Sequence, residues 1–236
     1  MARQRVSEGP FEATFFDFGG VLTNPVWDSF AAFCRQEGLD PDTIKRLFRE
    51  DPEALALLRR LETGSIPEAE FERAFGEKLG LKNYQRLIDS MFAGMSHDEE
   101  MLSAVRELRR RGVHTGLISN SWSVDHYDRD LLEELFEEVV ISAEVHLHKP
   151  QPEIYLLAAE RLGVEPRACL FVDDLRENCE GAETVGMTAI RHRSTEETRE
   201  RLAELTGVRL TASPSAAAAP ADTSRGGKPP LRDTAG

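Results

Sequence analysis

Between Phe11 and Phe18 the chain carries an apolar, aromatic-rich run that stops abruptly at Gly19 and Gly20, the pattern of a buried strand followed by a tight turn. The next such run lies far downstream. From about residue 25 to residue 92 the periodicity is helical throughout, with short connections and stop signals at Gly38, Gly64 and Gly80. One of these helices is predicted to start at Pro67 behind Ser65 and to carry Phe71, Ala74, Phe75 and Lys78 at helical spacing. After Met95 the rhythm changes. Ser96 and Glu99 form a capping-box pair ahead of an apolar face of Met101, Leu102, Val105 and Leu108, which ends at Gly112. Strands are then predicted at 113–118, 139–141, 168–172 and 187–191, with helices at 125–135, 151–162 and 176–185. A last helix at 195–206 has Ser194 and Glu197 as a second capping pair and Gly207 as its stop.

Strands that alternate with helices argue for an α/β fold with a doubly wound parallel sheet. The helical block interrupts that sheet at its first loop. An insertion there overhangs the carboxyl edge of the sheet, where ligands bind in folds of this kind, so the block is placed to act as a lid. The predicted organisation is a discontinuous core of 11–24 and 96–210 with an α-helical insertion of 25–95, joined through linkers near 20–24 and 93–96. Residues 1–10 read as a flexible N-terminus. Residues 211–236 are small, rich in Pro and Gly and nearly free of large apolar side chains, and are expected to be disordered. No internal repeat is present.

Composition narrows the function classes. At 236 residues the chain has room for one large domain or two small ones. Forty per cent apolar and 30% charged residues are those of a soluble protein. A formal net charge of -13 disfavours non-specific attraction to nucleic acid or to an anionic membrane, neither of which is an expected partner. Cys34, Cys169 and Cys179 are odd in number, widely spaced and lack a metal-ligand pattern, so they read as buried thiols in a reducing compartment. The N-terminal residues form no apolar signal region and no stretch approaches a membrane span, so a cytoplasmic location is expected. Nothing in the pattern specifies an oligomeric state.

Four segments carry candidate chemistry. Asp17 ends an apolar strand before two glycines, so its carboxylate would project from the sheet edge; an aspartate there also serves simply to cap a turn. Asp173 and Asp174 close the strand CLFV just before a helix, where they could act as an N-cap. Adjacent carboxylates repel each other, and a third from Asp17 would add to that repulsion, a cluster that a hard divalent cation such as Mg²⁺ neutralises. Lys149 sits in HKPQPEIY, where Pro150 and Pro152 stiffen the approach to a helix; it is either a solvated lysine or a phosphate-holding cation beside the carboxylates. Ser119 and Asn120 follow a strand, as ordinary turn formers or as donors to phosphate oxygens.

Together FFDFGGVL, LISNS, HKPQPEIY and FVDDLREN resemble, in order and rough spacing, the four motifs of the haloacid dehalogenase superfamily. Residues 116–210 are further similar to the N-terminal phosphatase domain of mammalian soluble epoxide hydrolases, including GAETVGMTAI. No α/β-hydrolase domain follows, so epoxide hydrolysis is not implied. The resemblance implies a Rossmann-like core with a small helical cap. It also implies a Mg²⁺-dependent phosphatase that hydrolyses small phosphate esters through an aspartyl-phosphate intermediate. On that basis Asp17 is the nucleophile, Ser119 and Asn120 bind the transferring phosphoryl group, and Lys149 steadies it. Asp17, the Gly19 carbonyl, Asp173 and Asp174 would hold Mg²⁺, with Asn178 a further polar residue nearby. The partner expected is a small phosphorylated metabolite.

One position departs from the family. Most of its phosphatases carry an aspartate two residues after the nucleophile, as acid for the leaving group and base for water. Here that position is Gly19. Losing a general acid or base commonly costs about 10²- to 10⁴-fold, so aryl and acyl phosphates are expected to react and alkyl phosphates to react much more slowly. Two alternatives stay open: a 2-haloacid dehalogenase, which needs no metal, and a noncatalytic protein that binds a phosphorylated ligand. His146 and His148, spaced two apart in sequence, match no family position and read as surface or packing residues. Trp122 reads as either pocket lining or packing.

Overall fold

The structure is a computed structural model that describes residues 10–123 and 127–210. The segments expected to be flexible at 1–10, save Pro10, and disordered at 211–236 therefore lie outside the described residues. Five parallel strands form one sheet in the order β3-β2-β1-β4-β5: β1 (Ala13–Phe16), β2 (His114–Ser119), β3 (Glu138–Ile141), β4 (Cys169–Asp173) and β5 (Thr188–Arg191). These agree with the predicted strands to within about two residues, the usual scatter of element ends. Phe16 lies in register with Leu117 of β2 and with Val172 of β4, so the carboxyl ends of the three central strands finish together.

Alternate residues of β1 serve opposite faces. Phe16 belongs to the layer built with Met101, Leu102, Leu117, Leu132 and Leu202. Phe15 belongs to the other, with Ile118, Ile154, Tyr155 and Phe171. Both faces of the sheet are covered, which is why its central strands read as nearly continuous apolar runs. The chain winds one way through β1, β2 and β3, then crosses back beyond β1 to β4 and β5. The reversal leaves a crevice between β1 and β4 at their carboxyl ends.

Between β1 and β2 lie α1 (Val26–Gln36), α2 (Thr43–Glu50), α3 (Pro52–Glu62), α4 (Glu68–Lys78) and α5 (Leu87–Phe92), followed by α6 (Glu99–Arg110). Helices α1 to α5 enclose an apolar cluster of their own, including Phe30, Ile44, Phe71, Phe75 and Met91. The segments that enter and leave this block pair with each other. Thr23 and His97 form an antiparallel bridge, and Asn24 exchanges hydrogen bonds with Ser96. That pairing corrects one expectation: Ser96 does not cap α6. Its N–H donates to Asn24 Oδ1 at 2.9 Å. Asp98, directly before the first helical residue, accepts instead from the N–H groups of Glu100 and Met101 at 3.0 and 2.9 Å.

The remaining helices are α7 (Arg129–Leu135), α8 (Ser142–Val145), α9 (Pro152–Leu162), α10 (Arg176–Thr184) and α11 (Thr195–Thr206). Ser194 caps α11 as its sequence predicts, accepting from Glu197 N–H at 3.3 Å. The helix expected at 125–135 begins at Arg129, and residues 124–126 lie outside the described residues. Cys34, Cys169 and Cys179 are free and buried. Among the described residues no helix is long and apolar enough to cross a membrane.

Trp122, in the loop after β2, links the sheet to the helical block. Its ring centroid lies 5.2 Å from that of Phe30, 5.4 Å from Phe92, 5.5 Å from Phe71 and 5.7 Å from Phe48. Aromatic contacts of this kind add to the burial of the ring itself. Trp122→Ala should therefore destabilise the protein by about 3 kcal/mol, read from urea unfolding. A change below about 0.5 kcal/mol would mean that the ring is not part of the folded core.

Candidate active site

The backbone of Asp17 continues the β1 ladder, its N–H donating to Val172 O at 2.9 Å. The side chain therefore emerges at the crevice between β1 and β4. Both of its hydrogen-bond and ion-pair donors fall on Oδ1: Phe18 N–H at 2.7 Å and Lys149 Nζ at 2.8 Å. Among the described residues no hydrogen bond or ion pair falls on Oδ2, and Asp17 lines the cavity described below. Beyond Asp17 the chain must turn sharply, and Gly20 does so at φ +77°. A Cβ at Gly20 would also sit 2.9 Å from Asp174 Oδ2. Glycine is thus needed at position 20 for its backbone angle and for the approach of that carboxylate.

Lys149 is the centre of the cluster. Its side chain is 1% exposed, and Nζ lies 2.8 Å from Asp17 Oδ1 and 2.7 Å from Asp173 Oδ2. Asn120 fixes the backbone that carries it. The Asn120 amide donates to Lys149 O at 3.0 Å, and Lys149 N–H donates to Asn120 Oδ1 at 2.9 Å. Through this pair of hydrogen bonds the carbonyl and one N–H of the Asn120 side-chain amide hold the lysine loop, while Asn120 also lines the cavity described below. Helix α10 packs closely on the same loop. A Cβ at Gly181 would lie 2.6 Å from Pro150 O, so only glycine allows this approach.

Asp173 is fully buried, and its oxygens accept from Lys149, from Asn178 Nδ2 at 3.0 and 3.1 Å, and from Leu175 N–H at 2.9 Å. Asn178 accordingly lies where the sequence suggested, beside the acidic pair. Ser119 is buried, and its Oγ shares a 2.9 Å hydrogen bond with Tyr127 Oη. Neither histidine singled out in the sequence joins the cluster. His146 Nδ1 lies 2.9 Å from Thr63 O and His148 Nδ1 2.8 Å from Lys149 O, each placed to donate to a carbonyl.

Asp17, Asp173 and Asp174 each offer an oxygen within 4.8 Å of the others. Three carboxylates face one ammonium. Burial pushes the Asp17 carboxyl up to about 7, against the attraction of Lys149 and with the repulsion of Asp173 and Asp174. Burial and the Asp173 charge raise Asp174 to about 6. For Lys149, burial disfavours the ammonium, but Asp17 and Asp173 outweigh it and the pKa rises. A compact set of hard oxygen donors carrying more negative charge than its lysine balances fits a divalent cation of the Mg²⁺ type.

Above the cluster lies a cavity of about 1010 Å³, floored by Asp17, Ser119 and Lys149 and walled by Phe48, Leu58 and Trp122. Trp122 thus both lines the cavity and packs into the helical block. Glu62, at the end of α3, also faces this cavity. The sequence gave no sign of it, because a glutamate one residue from a helix stop looks like any solvated helix end.

A model of haloacid dehalogenase-like hydrolases matches residues 11–186. The chain belongs to that family. It is 26% identical to bifunctional epoxide hydrolase 2 of Rattus norvegicus over 84% of this chain and 39% of that protein. The chain therefore spans about two-fifths of that relative's length. It is 32% identical to phosphatase MT3486 of Mycobacterium tuberculosis over 75% of this chain and 85% of that protein. Among solved structures, it shares the fold of a family enzyme from Bacteroides thetaiotaomicron in complex with magnesium and inorganic phosphate. The TM-score is 0.61 at 23% identity, covering 78% of this chain and 94% of the other. The fold is also that of an L-2-haloacid dehalogenase from Xanthobacter autotrophicus, with a TM-score of 0.59 at 22% identity over 85% of each chain. The family assignment makes this protein a hydrolase.

The raised carboxyls carry a consequence for stability. A folded-state pKa above the unfolded value means that the folded protein holds the extra proton, so stability is lost as pH rises through about 6 to 7. Metal-free protein should therefore unfold more easily at pH 8 than at pH 5.5, and Asp174→Asn should flatten that slope. Mg²⁺ at about 100 times its dissociation constant should restore about 2.7 kcal/mol at pH 8. Thermal unfolding with EDTA or Mg²⁺ measures both effects, and a melting temperature indifferent to Mg²⁺ would remove the metal site.

Proposed function

We propose that this protein is a Mg²⁺-dependent phosphatase that hydrolyses small phosphate monoesters through an aspartyl phosphate on Asp17. The observation that carries the reading is Lys149, buried and held at 2.8 Å from Asp17 and 2.7 Å from Asp173 at the floor of the cavity. The phosphatase named among its relatives, and the magnesium and phosphate bound by a protein of the same fold, support it. In this reading residues 11–24 and 96–210 form the catalytic core, and 25–95 form a cap that encloses the substrate. The substrate is a small phosphorylated metabolite, and the location is cytoplasmic.

Asp17, Asp174 and the Gly19 carbonyl would hold the ion, while Asp173, already accepting from four donor contacts, would chiefly position Lys149. A bound Mg²⁺ supplies charge neutralisation for the phosphate and for the carboxylates. Asp17 Oδ2, free of other donors, attacks phosphorus, while Lys149 keeps Oδ1 in place and stabilises charge on the phosphoryl oxygens. Ser119 Oγ and backbone N–H groups of the loop after β2 complete the binding of the phosphoryl group. Holding these groups in a crevice away from bulk water strengthens each of the contacts.

The dehalogenase alternative rests on fold alone, and a trio of carboxylates is unnecessary for attack on carbon. The expected outcome is Mg²⁺-dependent hydrolysis of p-nitrophenyl phosphate that EDTA stops and Asp17→Asn abolishes. Lys149→Met should lower kcat by about 10²- to 10³-fold. Chloride release from 2-chloropropionate without Mg²⁺, with no phosphate release, would replace this reading with the dehalogenase. Binding of phosphorylated ligands without turnover would replace it with a noncatalytic role.

A further inference from the structure

Alkyl phosphate hydrolysis needs a proton for the departing alkoxide, and the loop after β1 offers none. Gly19 has no side chain, and a Cβ there would lie 2.9 Å from Val26 Cγ2, so the start of α1 occupies the space. Position 19 does not owe its glycine to a left-handed backbone, since the positive φ of this turn belongs to Gly20. The contact with α1 is therefore the local reason for a small residue.

The helical block brings a carboxyl group to the lining of the same cavity. Glu62 ends α3, is partly buried, and has no ion pair among the described residues. Three contacts with the core hold this helix end in place. Ser142 Oγ donates to Glu62 O at 2.5 Å, His146 Nδ1 lies 2.9 Å from Thr63 O, and Gly64, at φ +65°, brings the chain against Ala143 O. The charges that act on the carboxylate are Lys149, Asp17 and Arg59, and Trp122 lines the same cavity. The cavity's remaining acids outside the metal cluster are committed or exposed: Asp89 pairs with Arg86, Asp128 caps α7, and Glu177 is exposed.

We propose that Glu62 is the general acid and base of this site, supplied by the helical insertion in place of the side chain that Gly19 lacks. The proposal rests on the phosphatase reading above. In the first step Asp17 forms a bond to phosphorus and the phosphorus–oxygen bond to the leaving group breaks. The electron pair stays on that oxygen, which takes the Glu62 proton and departs as an alcohol. In the second step water attacks the aspartyl phosphate and gives a proton to the Glu62 carboxylate. The bond between phosphorus and Asp17 breaks, its electron pair returns to the Asp17 carboxylate, and inorganic phosphate leaves. Burial raises the Glu62 carboxyl to about 7 in the metal-free protein, so both of its protonation states are accessible near neutrality. Its place on α3 also ties proton transfer to the seating of the helical block, since the group is present only when that block is closed on the core.

The test compares a series of phosphates running from aryl to alkyl leaving groups, with Mg²⁺, in the unmodified protein and in Glu62→Gln. Glutamine keeps the size of the side chain and removes its proton chemistry. Wild-type kcat/KM should vary shallowly along the series. Glu62→Gln should keep aryl phosphates within about tenfold and lose alkyl phosphates by about 10²- to 10⁴-fold. The wild-type alkyl profile should fall at alkaline pH as the acid form is lost, and the residual alkyl rate of the variant should lack that limb. Equal losses on aryl and alkyl substrates would make Glu62 a structural residue and overturn the proposal. A leaving-group effect that instead appears in His97→Gln would move the role to His97 and overturn it too. If Glu62→Gln does not fold, the wild-type series decides alone: a steep loss of rate toward alkyl phosphates overturns the proposal. Wild-type turnover that Asp17→Asn abolishes while Glu62→Gln leaves the whole series unchanged defeats this inference and keeps the phosphatase. Absence of turnover on every phosphate defeats both.

Discussion

A buried ammonium group held between two carboxylates is the constraint around which this molecule is arranged. Lys149 has almost no access to solvent, and an isolated charge there would be prohibitively costly. Asp17 from the end of β1 and Asp173 from the end of β4 make it tolerable, and they can do so only because β1 and β4 are neighbours in register. The lysine loop must in turn reach the crevice, and Asn120 from the end of β2 holds it there through a reciprocal pair of hydrogen bonds. Glycine at position 181 lets α10 close behind it. Sheet order, loop path and helix packing thus meet at one charged atom.

The same cluster is electrostatically unfinished. Asp174 adds a third carboxylate, and Gly20 allows it to approach where any larger residue would obstruct it. Raised carboxyl pKa values are the mark of that excess negative charge in a place with little water. A divalent cation held by these oxygens would relieve it. Stability and chemistry are therefore drawn from the same interaction rather than from separate parts of the fold.

The helical block contributes more than cover. It has its own apolar cluster, yet its contact with the core is specific: Trp122 enters its aromatic core from the sheet side, and the end of α3 is hydrogen-bonded to α8. Trp122 and Glu62 line the same cavity at that boundary.

Hydrophobic periodicity alone determined the class of fold, the number of parallel strands and the place of the helical insertion, because strand and helix periods are local properties of the chain. The motif segments likewise marked Asp17, Ser119, Asn120, Lys149, Asp173 and Asp174 as candidates, since strand ends before glycines and helix starts are legible in one dimension, and the family resemblance added Asn178. Their convergence came from the tertiary structure. Asp17 and Asp173 are brought together by the register of β1 with β4, which no local pattern encodes. The cap of α6 moved from Ser96 to Asp98 because Ser96 is claimed by Asn24, a partner 72 positions away. That the Asn120 amide also holds the lysine loop was hidden for a similar reason, its partner being 29 positions distant. Glu62 was invisible in the sequence, for its significance lies in lining the same cavity as Asp17, a relation that exists only after five helices have folded back over the sheet.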